Sequence, residues 1–532
     1  MIVRNNETTI AAAVRSVLPW VGQVVVVDTG STDATPEICR RLGCEVYHFP
    51  WPDSFAAARN ESLKYARGQW IIWIDSDDVL DAESGRKLVE LLRQGVDPNI
   101  LGLTMQVHCP AADGDGDFDA TVVDHCKVFR NRPDIRFKGR IHEQVLGDIG
   151  RAGGDVAFTP LYVVHANADH TPAGRRRKLA RDFKLLRLEL KEQPGHTFTL
   201  FNLGMTFADA NEHRKAVRAL ERSLAAAQEG DSHVRKIYAL LVSSLKELGR
   251  TDEAGRYCQQ ALTLFPKDPE LHFRWGILSH EAGRLRLAEK AYLAALANDD
   301  GLHFASLDRG ITGYKARQNL ALVYADMGAP HKAEEQWLRI TREVPGYREG
   351  WRGLFDTLLE QGKLAEAQRL ATELAGIPRH VALSLSLASE LAEIGGQLFM
   401  ARQLLDEARR VAPGDPLPLQ ALTRLLFQYG DPAEARARLM ELVNLEPTDA
   451  AAYHNLGTVC LRMAQPGEAA QAFCASLQHR PDSPLTQLCL GYALRELGRL
   501  DEAASNWRAC LRLAPEGPLA AEAQRQLQAL PT

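Results

Sequence analysis

No apolar run in this 532-residue sequence approaches the ~18–20 residues that a membrane-spanning helix needs. The longest runs, Val24–Val27 and Trp70–Ile74, have the length of strands. Basic excess is missing too: 63 Lys and Arg stand against 68 Asp and Glu, a formal charge of -5, which argues against a nucleic-acid binder. Cysteine is sparse. The nine residues form no CxxC pair and no zinc-like spacing, so reduced thiols in a cytoplasm are expected. The opening residues, Met1 to Glu7, carry none of the basic, apolar and small-residue regions of a secretory signal. Low-complexity tracts do not occur, and 45% hydrophobic with 25% charged content excludes disorder. At roughly 100–200 residues per domain the chain is too long for one core. These absences leave a multi-domain globular protein expected in the cytoplasm, with no transmembrane segment and with peripheral membrane association open.

Two kinds of sequence are present. Up to about residue 165, short β-rich runs alternate with helical stretches; beyond about residue 175 strand signals nearly vanish. The reading is an α/β domain over 1–170, a linker helix over 171–194, helical repeats over 195–515 and a capping helix over 516–532. The basic cluster Arg175-Arg176-Arg177-Lys178 opens the linker helix, either as a solvated helix start or as a phosphate- or membrane-facing patch.

The second half repeats every 34 residues. Gly249 and Gly283, Gly328 and Gly362, Ala254 and Ala288, and Gly457 and Gly491 keep that interval, as does the series Pro413, Pro447, Pro481, Pro515. A 34-residue period of two helices is the tetratricopeptide signature. A small residue in the first helix lets the second approach, glycine at the turn supplies a left-handed cap, and proline ends the unit. About nine units fit, with extra residues around 298–313. The solenoid offers a concave face to a protein partner.

In the first part, Gln23–Asp28 reads as a buried strand ending in an acid. Ala34–Leu42 reads as a helix, Cys44–Phe49 as a strand, Ala56–Ala66 as a helix and Trp70–Ile74 as a strand running into Asp75-Ser76-Asp77-Asp78. This alternation predicts a mainly parallel sheet with ligands at the strands' C-terminal ends, where Asp28, Asp75 and Asp77 fall. Two carboxylates one residue apart on a turn suit a hard divalent cation, Mn²⁺ or Mg²⁺, that also takes diphosphate oxygens. Such a cation stabilises charge on a leaving nucleoside diphosphate. Asp78 and Asp81 also read as caps of the next helix.

The blocks MIVRNNE, VVVVDTGSTDATPEI, HFPWPDSFAAARNESLKYARGQWIIWIDSDDVL and FKGRIHEQV together resemble the family 2 glycosyltransferases of GT-A fold. The whole chain is similar to the bacterial subgroup in which that Rossmann-like domain is fused to tetratricopeptide repeats. The resemblance implies inverting transfer of a sugar from a nucleotide-sugar, usually a UDP-sugar, with a divalent metal. It places Val3, Asn5 and Glu7 beside the nucleobase, Asp28 on uracil or ribose, and Arg59 and Asn60 at the donor pocket. Asp75 would meet ribose or a metal-bound water, and Asp77 would be the main metal ligand; His165 would complete the metal site. An inverting transfer also needs a base for the acceptor hydroxyl, and Glu143 in the last block is the candidate. Its alternative reading is a surface glutamate paired with Arg140 or Lys138. His142 would orient the base or contact a phosphate. Met1 falls inside the first block, so for most of the strand that relatives carry ahead of it the expectation is either a true start upstream or a chain that lacks this support of the nucleotide site.

Other features carry blander readings: Asp113–Asp117 as an acidic loop, Asp33 and Asp53 as caps or minor contacts, the repeat cysteines as small packers, and Trp51 as core or as a platform for an acceptor ring. The acceptor is a protein or peptide, a saccharide or a lipid-linked sugar. The competing reading is a non-catalytic tetratricopeptide scaffold with a degenerate transferase domain.

Overall fold

Strands and helices alternate from the first residues of the computed structural model, which describes residues 1–109, 121–165, 171–228, 231, 233–297 and 307–530. The loop Asp113–Asp117 and most of the expected insertion at 298–313 lie outside the described residues. The chain forms two compact units, Met1–Trp351 and Arg352–Thr532.

The first unit opens with β1 (Ile2–Val3), α1 (Ile10–Val17), β2 (Val25–Asp28), α2 (Thr35–Arg41), β3 (Glu45–His48) and α3 (Phe55–Leu63). Then follow β4 (Trp70–Ile72), β5 (Asp78–Leu80), α4 (Ala82–Gln94), β6 (Ile100–Cys109), β7 (Thr121–Arg130), α5 (Leu146–Arg151), β8 (Asp155–Ala157), β9 (Tyr162–His165) and α6 (Pro172–Glu192). Strands β1, β2 and β3 form a parallel sheet, with Val3 opposite Asp28. The second sheet departs from the parallel expectation. It has seven strands: β10 (Leu307–Asp308), β7, β6, β9 and β5 in that order, with β4 on β7 and β8 on β6. Its β4–β7, β5–β9 and β6–β7 pairs are antiparallel, while β6 runs parallel to β8 and β9. The long β6–β7 pair decides this, because antiparallel neighbours need only a loop between them, whereas parallel neighbours need a crossover. Apolar side chains from both sheets, among them Val26, Ile74, Leu103, Met105 and Val163, share one core with Ile10 and Val14 of α1. A cavity of about 470 Å³ lies between β2 and β4, lined by Met1, Val24, Val25, Trp70 and Ile72 among others.

Helix α6 is packed onto this domain. Leu185 and Leu186 are buried with Ile141, Trp51 and Phe55 of the α/β part and with Leu203 and Phe207 of the next helix, α7 (Thr197–Asp209). Lys184 Nζ lies 2.7 Å from Asp53, the backbone N–H of Arg140 donates to Glu189 Oε2 at 3.0 Å, and Arg140 pairs with Glu192.

Helix pairs follow. In the first unit α7 packs on His213–Ala226, Val234–Glu247 on Thr251–Leu264, Pro269–Glu281 on Leu285–Ala297, and Tyr314–Asp326 on Pro330–Glu343. Arg348–Glu360 spans the division between the units, and Leu364–Leu374 follows it. In the second unit Val381–Ile394 pairs with Leu398–Val411, Pro416–Tyr429 with Pro432–Leu445, Ala450–Arg462 with Pro466–His479, and Pro484–Glu496 with Leu500–Leu513, before a last helix Pro518–Gln528. The turns follow the repeat logic: Gly249, Gly283, Gly328, Gly362, Gly396 and Gly498 have positive φ, and Asn211 and Ala464 take the same conformation. Inside the first helices, a Cβ on Gly457 would stand 2.7 Å from the Phe473 ring, and one on Gly491 2.2 Å from Trp507 Nε1. Pro413, Pro447, Pro481 and Pro515 each come two positions after a helix ends. The architecture is thus an α/β domain followed by an all-α tetratricopeptide solenoid. No helix among the described residues is long and apolar enough to cross a membrane.

Candidate active site

Two loops meet at the C-terminal ends of β1 and β2. The carbonyl of Val3 accepts from the backbone N–H and the hydroxyl of Thr29, both at 3.0 Å. Asn5, at φ 54°, accepts the N–H of Thr32 at 2.7 Å, and Glu7 Oε2 accepts that of Ala34 at 3.2 Å. Asp28 is buried at the base of this corner, with the Ser31 N–H on Oδ1 at 3.0 Å and His48 Nδ1 3.2 Å from Oδ2. Burial opposes its charge, but the bonds from Ser31 and His48 outweigh it and hold Asp28 below the ordinary carboxylate range. Val3, Asn5, Glu7 and Asp28 therefore share one corner. Asp33 lies one residue before the N-cap of α2 and accepts from the backbone N–H and the hydroxyl of Thr35.

A second group forms where β4 ends. Asp75, Asp77 and Asp78 leave that strand in succession, and the antiparallel pairing of β5 with β9 sets His165 opposite Asp78. His165 Nδ1 lies 3.0 Å from Asp78 Oδ1, and its Nε2 lies 3.5 Å from Asp77 Oδ2. Beneath them Lys127 of β7, 1% exposed, places Nζ 2.5 Å from Asp78 Oδ2, 3.8 Å from Asp75 and 4.0 Å over the Trp73 ring. Asp81 does cap α4, by accepting the Ser84 N–H.

Arg59, on α3, joins this group to a third. Its Nη2 donates to Asp75 Oδ1 at 2.6 Å, its Nε donates to Glu143 Oε1, and its guanidinium stacks 4.1 Å over Trp73. Burial works against this cation, yet Asp75 and Glu143 raise its pKa further above the usual range. Glu143 is 8% exposed in its side chain and is paired inward with Arg59, not with Arg140 or Lys138. His142 precedes it at φ 55°, and burial lowers its pKa. Asn60 turns elsewhere: its amide clasps both the N–H and the carbonyl of Phe137 at 2.9 Å, and so fixes the segment that leads to Glu143.

Charges within the acidic group are unevenly matched. For Asp75, burial opposes ionisation, but Arg59 and Lys127 hold it well below the usual range. Asp78 is held low by Lys127 and His165 against the same desolvation. Asp77 goes the other way: burial raises its pKa, Asp75 and Asp78 add to the rise, and the only basic group within 4 Å among the described residues is His165 Nε2. The oxygens and nitrogen of Asp77, Asp78 and His165 lie within 4.8 Å of one another. Asp78 has both oxygens engaged, so it orients the imidazole and turns Nε2 toward Asp77, the arrangement in which a carboxylate steers a metal-ligating histidine. An oxygen–nitrogen donor set with surplus negative charge fits a divalent cation such as Mn²⁺ or Mg²⁺. Asp77 and His165 would hold it, with Asp75 beside them but bound to Arg59.

Lys127 and Asp78 escaped the sequence reading. A lysine inside a strand looks like a solvated residue, and its place between the apolar Cys126 and Val128 puts it on the face opposite theirs, which strengthens that reading. Asp78 looked like one more helix cap.

Comparison with known proteins follows the same division of the chain. Residues 1–106 match the model of glycosyl transferase family 2, and residues 201–269, 239–303 and 399–459 match tetratricopeptide repeat models. A TPR repeat-containing protein of Synechococcus elongatus is 37% identical over 330 residues, 61% of this chain and 72% of its own length. The glycosyltransferase SunS, from an SPbeta prophage in Bacillus subtilis, is 23% identical over 42% of this chain and 52% of its own. A tetratricopeptide repeat protein of Parabacteroides merdae, of known crystal structure, overlays 56% of this chain and 98% of its own at 14% identity and a TM-score of 0.38.

Proposed function

Because the chain belongs to the tetratricopeptide-repeat proteins that carry a glycosyl transferase family 2 domain, we propose that it moves a sugar from a nucleotide-sugar, a UDP-sugar, to an acceptor hydroxyl with inversion. The observation that carries this reading is Arg59, whose one guanidinium binds both Asp75 of the acidic turn and Glu143. Asp75 and Glu143, 68 residues apart in sequence, are thereby held one side chain apart. In this reading Val3, Asn5, Glu7 and Asp28 receive the nucleoside. Asp77 and His165 hold Mn²⁺ or Mg²⁺, which neutralises charge gathering on the departing nucleoside diphosphate. Glu143 accepts the proton of the acceptor hydroxyl, and His142 lies beside it. Lys127 keeps Asp78 ionised, and Asp78 keeps His165 facing Asp77. The repeats recruit the acceptor, a protein, peptide or saccharide, or a partner that delivers it, and the reaction takes place in the cytoplasm.

The test is thermal unfolding of the full chain with UDP, with and without Mn²⁺ or Mg²⁺. UDP is expected to raise the melting temperature only when the metal is present, and Asp77→Ala to abolish that rise. A wild-type protein whose melting temperature ignores the combination is the non-catalytic scaffold instead.

A further inference from the structure

The basic opening of α6 is a pronounced charge cluster that the proposed chemistry leaves unused. Its members differ in what they touch. Arg175 Nη2 donates to the carbonyl of Asp209, Arg181 pairs with Asp182 at 2.9 Å and lies over the Phe55 ring, and Lys184 is held by Asp53. Lys178 is exposed and has no hydrogen bond or ion pair to any described residue.

Its position is set by the helix. Gly174, Asp182, Leu185 and Glu189 form the buried stripe of α6, and Lys178 falls on the same stripe, four residues before Asp182. Leu185 and Leu186 of α6 pack on Ile141, the neighbour of His142, so Lys178 lies about two turns, ~11 Å, nearer the start of the helix that meets this segment. The charge of Lys178 is itself felt at His142, at Asp209 of α7 and at the thiol of Cys109. Cys109 ends β6, and continuing the parallel β6–β9 register by one step sets it abreast of His165. Asp77 and Asp78 act on the same thiol. An ammonium with no partner among the described residues thus overlooks the stretch between His165 and His142, on the first helix after the α/β domain.

We propose that Lys178 binds the diphosphate of the nucleotide donor from the side of α6, while Asp77 and His165 serve it through the cation. This inference rests on the nucleotide-sugar reading above. One divalent cation balances the two charges of the donor's diphosphate diester but not the further charge that the departing nucleoside diphosphate gains, and lysine is a compact point charge with three donors, suited to an anion whose orientation changes as its bond to the sugar breaks. The other basic side chains of that face already have partners, which keep α6 in place.

The test is calorimetric titration of the full chain in Mn²⁺ with UDP, GDP and dTDP, and with uridine as the ligand that lacks phosphate. Lys178→Ala is expected to weaken the diphosphate that the wild type binds by tenfold or more and to leave uridine unchanged. Lys178→Arg should retain most of the affinity, and Arg176→Ala, a charge removed from outside the buried stripe, should leave it within twofold. Lys178→Ala binding that diphosphate within twofold of wild type overturns the inference alone. A wild type that binds none of the three overturns the nucleotide-sugar reading and this inference with it.

Discussion

Replacing Lys127 by methionine tests the ion group under the acidic turn most directly. Lys127 and the side chain of Asp78 are each 1% exposed, and 2.5 Å separates them. Methionine fills a similar volume beside Trp73 but leaves the Asp78 carboxylate buried without its cation. Removing one partner of a buried pair costs about 3–5 kcal/mol, because the remaining charge is stranded in a poor solvent. At ~1.4 kcal/mol per decade this is roughly a 150- to 4,000-fold rise in the opening equilibrium of β7. Amide hydrogen exchange of peptides covering residues 121–130 reads that rise locally and needs no two-state unfolding of the whole chain. The penalty also depends on pH with a definite sign. In the wild type, burial opposes the charge on Asp78, and Lys127 with His165 outweighs it, so its pKa is depressed. Stability from a depressed carboxylate is complete above the unfolded value of about 3.9 and is lost as pH falls through the lower folded value. In Lys127→Met the same carboxyl favours its proton, so the difference between the two proteins is widest near neutrality and narrows toward about pH 4. Adding Asp78→Asn removes the stranded charge and should return exchange to within about tenfold of wild type. Exchange rising less than tenfold in the single variant, or a double variant as loose as the single, would refute the reasoning.

Two further outcomes are expected. Glu143→Gln should leave UDP affinity in Mn²⁺ within about threefold of wild type and lower sugar transfer by roughly a hundredfold or more, the range for loss of a general base, measured as released UDP against acceptor product. Gly491→Ala should lower the melting temperature of the repeats by an amount corresponding to about 1–3 kcal/mol, because its Cβ would stand 2.2 Å from Trp507 Nε1 inside a packed helix pair.

The repeat region was open to reading because each unit spends its special residues at fixed intervals: glycine where φ turns positive, glycine where a ring crosses, proline where a helix must stop. These are local demands of backbone and contact, and a single sequence displays them. The acidic turn was legible for the same reason, since Asp75, Asp77 and Asp78 are neighbours in the chain. Long-range pairing was not. Nothing around Lys127 announces that it lies under Asp78, 49 residues away, and nothing around Arg59 announces Glu143, 84 residues away. The antiparallel β6–β7 pair was missed as well. Its residues Gly102 to Cys109 are mostly buried, so the alternation that marks a one-faced strand is blurred, and the sheet came out mixed where strand-helix alternation suggested parallel.

The seam under α6 has a practical corollary. Trp51, Phe55 and Ile141 of the α/β part are covered by Leu185, Leu186, Leu203 and Phe207. Cutting the chain at residue 170 would strip that cover and open Asp53 and Arg140 at the same stroke, leaving a greasy scar close to Glu143. The α/β domain is therefore not a detachable cartridge: a fragment meant for enzymology has to keep at least the first hairpin of helices, and a swap of the helical arm between relatives has to carry its docking seam along.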